Sequence, residues 1–219
     1  MKLLNHLLEF VSENKKNLFE NIIQYRTRYI TVVLEDIFQP HNASAILRTC
    51  DCFGVQDVHI IENRNEYEVN PDVALGSSKW LNLIKYNSHE QNTLQAYDEL
   101  RKKGYRIVAT SPHKNDCTLE KLNLNSKVAL IFGTELNGLS DVAINNADEY
   151  VKIPMYGFTE SFNISVSASI ILHYLTEKLR KSNIKWNLSE EEIIDVKLNW
   201  VKNVIKKSEL IENKFLKKL

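Results

Sequence analysis

The spacing of apolar residues along the chain predicts alternating helices and strands. Near the amino terminus, apolar residues recur at helical spacing over 3–11 and 18–23, on either side of the polar stretch 13–17, and predict a pair of helices. A further helical pattern covers residues 90–103. Short apolar and β-branched runs predict buried strands at residues 31–35, 58–61, 81–86, 105–110 and 127–132. This alternation indicates a mainly parallel sheet with helices on both faces, a Rossmann-like α/β core.

The carboxyl-terminal segment carries the signals of one more helix. Ser189 and Glu192 have the spacing of a capping box, and Leu188 stands ahead of them as a hydrophobic staple. A broad apolar stripe over 193–205 follows and needs a surface to pack against.

Length and composition fit one sizeable domain with extensions. The 219 residues are 43% hydrophobic, enough for one substantial core but short for two catalytic domains. We expect helical extensions at 1–29 and 181–219 around a central domain at 30–180. No apolar run is long enough to cross a membrane, and polar residues interrupt the first ten positions. We therefore expect no signal peptide and a cytoplasmic protein.

Charge is unevenly distributed although 28 basic and 28 acidic residues cancel. Residues 1–30 carry five basic and three acidic side chains, residues 31–175 carry 12 and 18, and residues 176–219 carry 11 and seven. Both termini are thus basic around an acidic middle, and a phosphate-binding surface should draw on them. Solvation of the helices is the alternative explanation of these charges.

The three cysteines predict neither a disulfide framework nor a metal site. Cys50, Cys52 and Cys117 cannot all pair with one another, which fits a reducing compartment. Cys50 and Cys52 are two apart in a predicted helix, so they point to different sides and cannot jointly hold a metal.

Residues 40–50, PHNASAILRTC, form the first of three segments that depart from ordinary core patterning. Pro40 ends a loop, and Asn42 stands where a helix N-cap is expected. Arg48 then lies about two turns into a helix of small and apolar residues. Such an arginine either forms a structural ion pair or faces an anionic ligand such as phosphate, and the helix by itself leaves both open.

Two further segments combine glycine, small polar residues and an apolar rim. FGTELNGLS at 132–140 follows a predicted strand, and glycines there let a ligand approach the backbone. Its spacing matches neither the dinucleotide-binding nor the phosphate-loop glycine pattern. IPMYGFTESFN at 153–163 runs into a predicted helix of small residues at 164–175. Polar side chains and free N–H groups beside apolar residues are typical of a small-molecule pocket.

Three motifs in this order resemble the signature motifs of the SPOUT RNA 2′-O-methyltransferases: NASAILR, FGTELNGLS and IPMYGFTESFNISVSAS. GSSKWL at 76–81 resembles a further stretch of the TrmH-type tRNA enzymes, and the whole resemblance covers about residues 30–176. It implies a knotted Rossmann-like domain with a C-terminal trefoil knot, which no spacing argument predicts because knots are very rare.

The resemblance also implies an activity and partners. The protein would use S-adenosylmethionine to methylate the ribose 2′-oxygen of tRNA, at the D-loop guanosine of position 18. It would be an obligate homodimer whose active site forms at the subunit interface. No metal and no membrane are implied.

The resemblance further implies roles for individual residues. Arg48 would contact RNA phosphate and the developing alkoxide, and whether it also accepts the proton stays open. Asn42 and Asn163 would orient the ribose. Ser161 would donate a hydrogen bond to a nearby oxygen. Glu135 would hold Arg48 or Asn163 in place, with a structural role at a helix terminus as the alternative.

The cofactor pocket is expected to be formed largely by backbone, with one aromatic ring against the adenine. Its residues would be Gly133, Thr134, Ile153, Met155, Ser161 and Phe162. Phe162 replaces a more usual leucine and would reshape the pocket. Glu160 adds a negative charge near the catalytic loop.

The predicted RNA contacts are mostly basic residues, several of them in the terminal extensions: Arg26, Arg28, His41, Lys79, Lys197, Lys202 and Lys206. His41 is also a candidate proton acceptor, because its ordinary pKa is near 6.5, with a plain surface role as the alternative.

Three other functions compete with tRNA methylation. A ribosomal-RNA methyltransferase of the same family would share the motifs, but such enzymes commonly carry a separate amino-terminal RNA-binding domain. The roughly 30 residues ahead of the first predicted strand are too few for one. A non-catalytic RNA-binding protein could keep the fold, although Arg48, Glu135, Ser161 and Asn163 are all intact. A nicotinamide-dependent oxidoreductase lacks its glycine fingerprint.

Overall fold

A parallel β-sheet forms the centre of the larger of two units into which the chain divides, Arg28–Trp186. The smaller unit combines Met1–Thr27 with Asn187–Leu219. The structure is a computed structural model that describes residues 1–68, 70–111, 117–134 and 137–217.

Seven strands form the sheet in the described ranges: β1 (Ile30–Glu35), β2 (Asp57–Ile61), β3 (Asn82–Tyr86), β4 (Tyr105–Thr110), β5 (Cys117–Thr118), β6 (Lys127–Phe132) and β7 (Glu149–Lys152). They lie in the order β3-β2-β1-β6-β4-β7-β5, and every pair is parallel. The predicted mainly parallel sheet and all of its predicted strands are confirmed. β5 and β7 were not predicted, because β5 has two residues and β7 fully buries only Val151.

The α-helices of the described residues are α1 (Lys2–Leu8), α2 (Glu13–Ile23), α3 (Pro40–Phe53), α4 (Pro71–Ala74), α5 (Asn92–Lys102), α6 (Asp141–Asn145), α7 (Ile164–Arg180), α8 (Glu190–Val204) and α9 (Ser208–Leu216). A 3₁₀ turn covers Ser77–Trp80, within the GSSKWL stretch, and packs beside α3.

Alternate side chains of the central strands pack into two cores, one on each face of the sheet. Val32 and Leu34 of β1 belong to the core that includes α3 and α7. Val33 of β1 and Ile131 of β6 belong to the core that includes α5 and α6. Because both faces of the sheet are covered, all six residues of β1 are buried. The predicted α/β class is confirmed, while the knotted threading of the chain stays a prediction.

Two helix starts differ from the predicted ones. α2 begins at Glu13, inside the polar stretch that was expected to separate two helices, because these polar residues form its solvent-facing first turns. α3 begins at Pro40 with Gln39 as its N-cap residue, so the prediction that Asn42 caps this helix is wrong. Proline suits the first helical position, since its fixed φ is helical and that position needs no N–H.

The smaller unit is built from α1, α2, α8 and α9. Trp200 of α8 is 2% exposed, and its ring centroid lies 5.5 Å from that of Phe19 in α2. The predicted capping box is confirmed: Glu192 N donates to Ser189 Oγ, and Ser189 N donates to the Glu192 carboxylate. The apolar stripe of α8 thus has its packing partner, while the expected domain limits at 30 and 180 stay a prediction.

No helix in the described part of the chain is both long enough and apolar enough to span a membrane.

A buried histidine on β2 belongs to a hydrogen-bonded chain. His59 is 1% exposed, and its Nδ1 lies 3.0 Å from the hydroxyl of Tyr86, which donates to Glu99 Oε2 over 3.1 Å. Because Tyr86 gives its hydrogen to Glu99, its oxygen can accept from His59 Nδ1–H. Burial, followed by the charge of Lys103, lowers the pKa of His59 to about 4.

We predict that His59 makes the protein less stable as the pH falls from 7 to 5. The unfolded histidine takes up a proton near pH 6.5 and the folded one only near pH 4, so the unfolded state binds more protons between these values. Its contribution to the free energy of unfolding should fall by roughly 2 kcal/mol over that interval. Urea titrations at several pH values measure the loss. His59→Gln should flatten the dependence, His41→Gln at an exposed histidine should not, and an unchanged slope in H59Q would contradict the prediction.

Candidate active site

Helix α3 presents Arg48 on its solvent side. The opposite side of the helix buries Ile46 and Leu47 in the core. Arg48 is exposed and forms no hydrogen bond or ion pair with any residue that the structure describes. The structural ion pair that the sequence left open is therefore absent from the described residues, and the guanidinium is available to an anionic ligand.

An asparagine pair joins the first motif to the third. Asn163 is the N-cap of α7, and its Oδ1 accepts from Ser165 N at 2.8 Å and from Ser165 Oγ at 2.6 Å. Because Oδ1 is used for the cap, Nδ2 of Asn163 points away and donates to Asn42 Oδ1 over 3.1 Å. Asn42 in turn donates to Gln39 Oε1 at 3.1 Å. Two side chains 121 residues apart are thus held in fixed orientations.

The loop after β6 folds tightly back on itself. Thr134 N donates to Gly138 O at 2.8 Å, and Gly138 N donates to Thr134 O at 3.1 Å. A Cβ at Gly133 would lie 2.2 Å from Gly138 O and 2.4 Å from Leu139 N. Gly138 has a φ of +65°, in the left-handed region that favours glycine. Both glycines of this motif are therefore required by backbone geometry.

A cavity of about 270 Å³ opens beside this loop at the carboxyl end of the sheet. All the residues predicted for the cofactor pocket line it: Gly133, Thr134, Ile153, Met155, Ser161 and Phe162. Apolar side chains and exposed polar groups occur together in its wall, as in small-molecule sites.

Sequence reasoning missed part of the cavity wall. Thr110 ends β4 and Ser111 follows it, Ile144 belongs to α6, and Ser167 and Ile171 lie on α7. β4 pairs with β6, so the residues that follow both strands meet at one edge of the sheet. This strand order has no local sequence signal, so Thr110 and Ser111 could not have been found from the sequence pattern alone.

Two predicted catalytic residues remain, Ser161 and Glu135. Ser161 lines the cavity and is exposed, and it immediately precedes Phe162 and the Asn163 cap. Glu135 lies outside the residues that the structure describes. Glu160, the additional negative charge, is exposed on the loop that leads to Ser161.

Several of the predicted RNA contacts are engaged within the protein instead. Arg26 is 3% exposed, with its guanidinium 5.3 Å from the ring centroid of Trp200. Arg28 pairs with Asp57 over 3.1 Å in a position where both side chains are less than one fifth exposed. Arg26 is therefore not accessible to phosphate in this structure, and the RNA contact predicted for it has no support from its position.

Two lysines of the smaller unit also have protein partners. Lys197 Nζ lies 2.6 Å from Glu20 Oε2, and Lys202 Nζ lies 2.7 Å from Glu212 Oε1. These ion pairs reduce the charge that either lysine offers to RNA. Lys206 is exposed, as are His41 and Lys79 in the larger unit.

Comparison with known proteins decides the family. The model of the SpoU rRNA Methylase family matches residues 29–173, most of the larger unit. The chain belongs to this family. The stretch that matches includes Arg48, the Gly133 loop and Asn163, which are the three motif regions of the candidate site.

Relatives of this SpoU-family chain are similar over nearly its whole length. The tRNA (guanosine(18)-2'-O)-methyltransferase of Borreliella burgdorferi is 47% identical over 97% of this chain and 96% of its own length. The crystal structure of the A. aeolicus TrmH/SpoU tRNA modifying enzyme matches with a TM-score of 0.78 at 30% identity, over 89% of this chain and 98% of that one. AviRb from Streptomyces viridochromogenes, in complex with AdoMet, shares the fold with a TM-score of 0.61 at 21% identity, over 74% of this chain and 65% of that one.

Gly133→Ala should destabilise this SpoU-family protein. The new methyl group would overlap the backbone at Gly138 and Leu139, which cannot move aside without opening the loop. Overpacking of this kind costs about 1–3 kcal/mol, or several degrees in Tm. Gly157→Ala is the matched control, because its Cβ would meet nothing closer than 4.0 Å. Calorimetric scans of both variants measure the effect, and equal Tm values would show that the close approach is not a constraint.

Proposed function

We propose that this protein transfers a methyl group from S-adenosylmethionine to a ribose 2′-oxygen of tRNA, at the D-loop guanosine of position 18. The observation that carries the proposal is the Asn42–Asn163 bond, which joins the helix of the exposed Arg48 to the loop that lines the cavity. The name of the 47% identical relative supports the nucleotide and the position.

The cavity residues fit S-adenosylmethionine. Gly133 and Thr134 bring the backbone of the loop to the cavity wall, and Ile153, Met155 and Phe162 provide apolar surface for an adenine ring. When bound, the cofactor supplies a methyl group that is already activated by its sulfonium. The protein therefore has to align the 2′-hydroxyl and promote loss of its proton by stabilising the negative charge that develops on the oxygen, while S-adenosylhomocysteine is released.

Arg48 and the asparagine pair are suited to these two tasks. A guanidinium is essentially always protonated, so Arg48 acts as a donor to RNA phosphate and to the developing negative charge on the 2′-oxygen. The cap at Ser165 fixes Asn163, and Asn163 fixes Asn42, so both amides are oriented before the substrate arrives. Ser161 lines the cavity, and we expect its exposed hydroxyl to donate a hydrogen bond to an oxygen of the bound substrate or cofactor.

We include homodimerisation in the proposal. Tyr156 is 96% exposed and Phe158 fully exposed on the loop before α7, and Phe162 and Val166 are 43% and 44% exposed beside it. Large apolar side chains clustered next to a site mark an interaction surface. A second copy that covered them would complete the site at the subunit interface.

A ribosomal-RNA methyltransferase is the second candidate, because the description of the matching family names rRNA. Methyl transfer to total tRNA and to ribosomal RNA, followed by mapping of the modified ribose, separates the two. We expect label at the D-loop guanosine of tRNA. Exclusive labelling of ribosomal RNA would show that the second candidate is correct, and no labelling of either RNA would support a non-catalytic RNA-binding protein.

Arg48→Ala should lower methyl transfer at least ~100-fold, the scale of losing one preorganised donor to developing charge. Arg48→Lys should restore little, since lysine keeps the charge but lacks the planar pair of donors. Arg48 is exposed, forms no hydrogen bond or ion pair with the described residues and does not line the cavity, so cofactor binding should be unchanged. Strong rescue by R48K would show that charge alone suffices.

The proposed dimer is tested by sedimentation, which should give twice the 25.4 kDa of the chain for the parent and for R48A. An active monomer would disprove the dimer.

The salt dependence of RNA binding should separate exposed lysines from those in ion pairs. Lys206→Gln removes a solvent-facing cation and should reduce the slope of log affinity against log salt by up to ~0.9. Lys197→Gln should change the slope less, because Lys197 is already paired with Glu20. Filter-binding titrations at several salt concentrations measure both. Equal effects of the two substitutions would mean that the ion pair opens on RNA.

A further inference from the structure

A buried acidic residue lies beside the cavity without lining it. Glu35 is the last residue of β1 and is 1% exposed. Because Leu34 is opposite Phe132 in the parallel pairing of β1 with β6, Glu35 is level with Gly133 at the start of the cavity loop. None of the motif regions includes Glu35.

Three donors converge on the Glu35 carboxylate. Ser140 N donates to Oε2 at 2.9 Å, Ser140 Oγ donates to Oε1 at 2.8 Å, and Thr93 Oγ1 donates to Oε1 at 2.6 Å. A buried carboxylate needs such partners, because an unsatisfied one is costly. Ser140 is held through both its backbone and its side chain, which fixes its position relative to β1.

Ser140 is next in the chain to a residue of the cavity wall. Leu139, the preceding residue, lines the cavity and is 7% exposed. Ser140 Oγ accepts from Ala143 N at 3.0 Å, which caps α6, and α6 contributes Ile144 to the same wall. The loop is thus fixed at one end by the packing of Gly133 and at the other by Glu35.

The Glu35 carboxylate also belongs to a hydrogen-bonded chain that extends away from the cavity, through Thr93. Thr93 Oγ1 accepts from Asn63 Nδ2 at 2.9 Å, and Asn63 Oδ1 accepts from Asn92 N at 3.1 Å, at the start of α5. Thr93 and Ser140 are therefore two partners of one group, and only Ser140 adjoins the cavity loop. The molecule offers a matched control at Thr93.

We infer that Glu35 is a positioning residue for cofactor binding, which acts by fixing Ser140 and with it the Leu139 side of the cavity. The inference rests on the proposed function, because it takes this cavity as the site of S-adenosylmethionine. The residue does not contact the cofactor. Its effect should appear as weaker cofactor binding, with RNA binding unchanged.

Glu35→Gln tests the assignment against Thr93→Val. The amide keeps the shape of the side chain but removes its charge and one acceptor oxygen, so the Ser140 hydroxyl must turn from donor to acceptor and the charge-assisted hydrogen bonds to Ser140 weaken. Calorimetric titration with S-adenosylmethionine should give a Kd about tenfold higher for E35Q, the scale of replacing a hydrogen bond to a charged group with a neutral one. T93V should change Kd less than twofold. E35Q should also raise KM for the cofactor while KM for tRNA stays within twofold.

Amide hydrogen exchange supplies a readout at the loop itself. Exchange at Leu139, Ser140 and Ala143 should quicken in E35Q and stay as in the parent in T93V. Ser140→Ala is the second variant should E35Q fail to fold, and it should raise the cofactor Kd severalfold, because it removes the hydroxyl that joins Glu35 to α6.

The possible outcomes distinguish a failure of the proposed function from a failure of the role inferred for Glu35. A parent protein that gives no heat with S-adenosylmethionine would disprove the proposed function, and the role of Glu35 with it. A parent that binds, with an unchanged Kd in E35Q, would overturn the role of Glu35 alone. Equal weakening by E35Q and T93V at an equal loss of Tm would also overturn it, since Glu35 would then act through overall stability.

Discussion

The parallel pairing of β1 with β6 is the constraint on which the candidate site depends. Leu34 lies opposite Phe132, so the chain leaves both strands at the same edge of the sheet. From β1 it continues into α3, which carries Arg48, and from β6 into the loop at Gly133. An antiparallel pairing would place these segments at opposite edges. The hydrogen bonds between two buried strands therefore determine which motifs can meet.

The two sides of the site are built by different physical means. On the cavity side, backbone packs against backbone at Gly133, and Leu139 is held there by hydrogen bonds that end on a buried carboxylate. On the substrate side, the side-chain amides of Asn163 and Asn42 set each other's orientation, and Arg48 stays exposed. A rigid wall suits a ligand of fixed shape, whereas an exposed cation on a rigid helix suits a mobile phosphate.

The sequence predicted the features that depend on local pattern or motif. β1 and β6 were found because burial on both faces makes most of their residues apolar, while β7 escaped because it buries only Val151 fully. The cavity residues in the motifs were predicted, but Thr110 was not, because its position depends on the order of strands in the sheet. Glu35 gave no signal, since its role arises from contacts with residues 58 and 105 positions away.

Charge shows most clearly why composition alone misleads. The basic excess at both termini predicted a phosphate-binding surface, yet Arg26 is buried against Trp200, and Lys197 and Lys202 are paired with Glu20 and Glu212. A cation paired with a carboxylate is already largely neutralised, so it displaces fewer of the counterions that surround the RNA phosphates. The electrostatic attraction between the protein and RNA is therefore determined by the basic side chains that remain exposed to solvent. Arg48, in the acidic central region, is one of these cations, although the charge balance of its own segment argues against phosphate binding there.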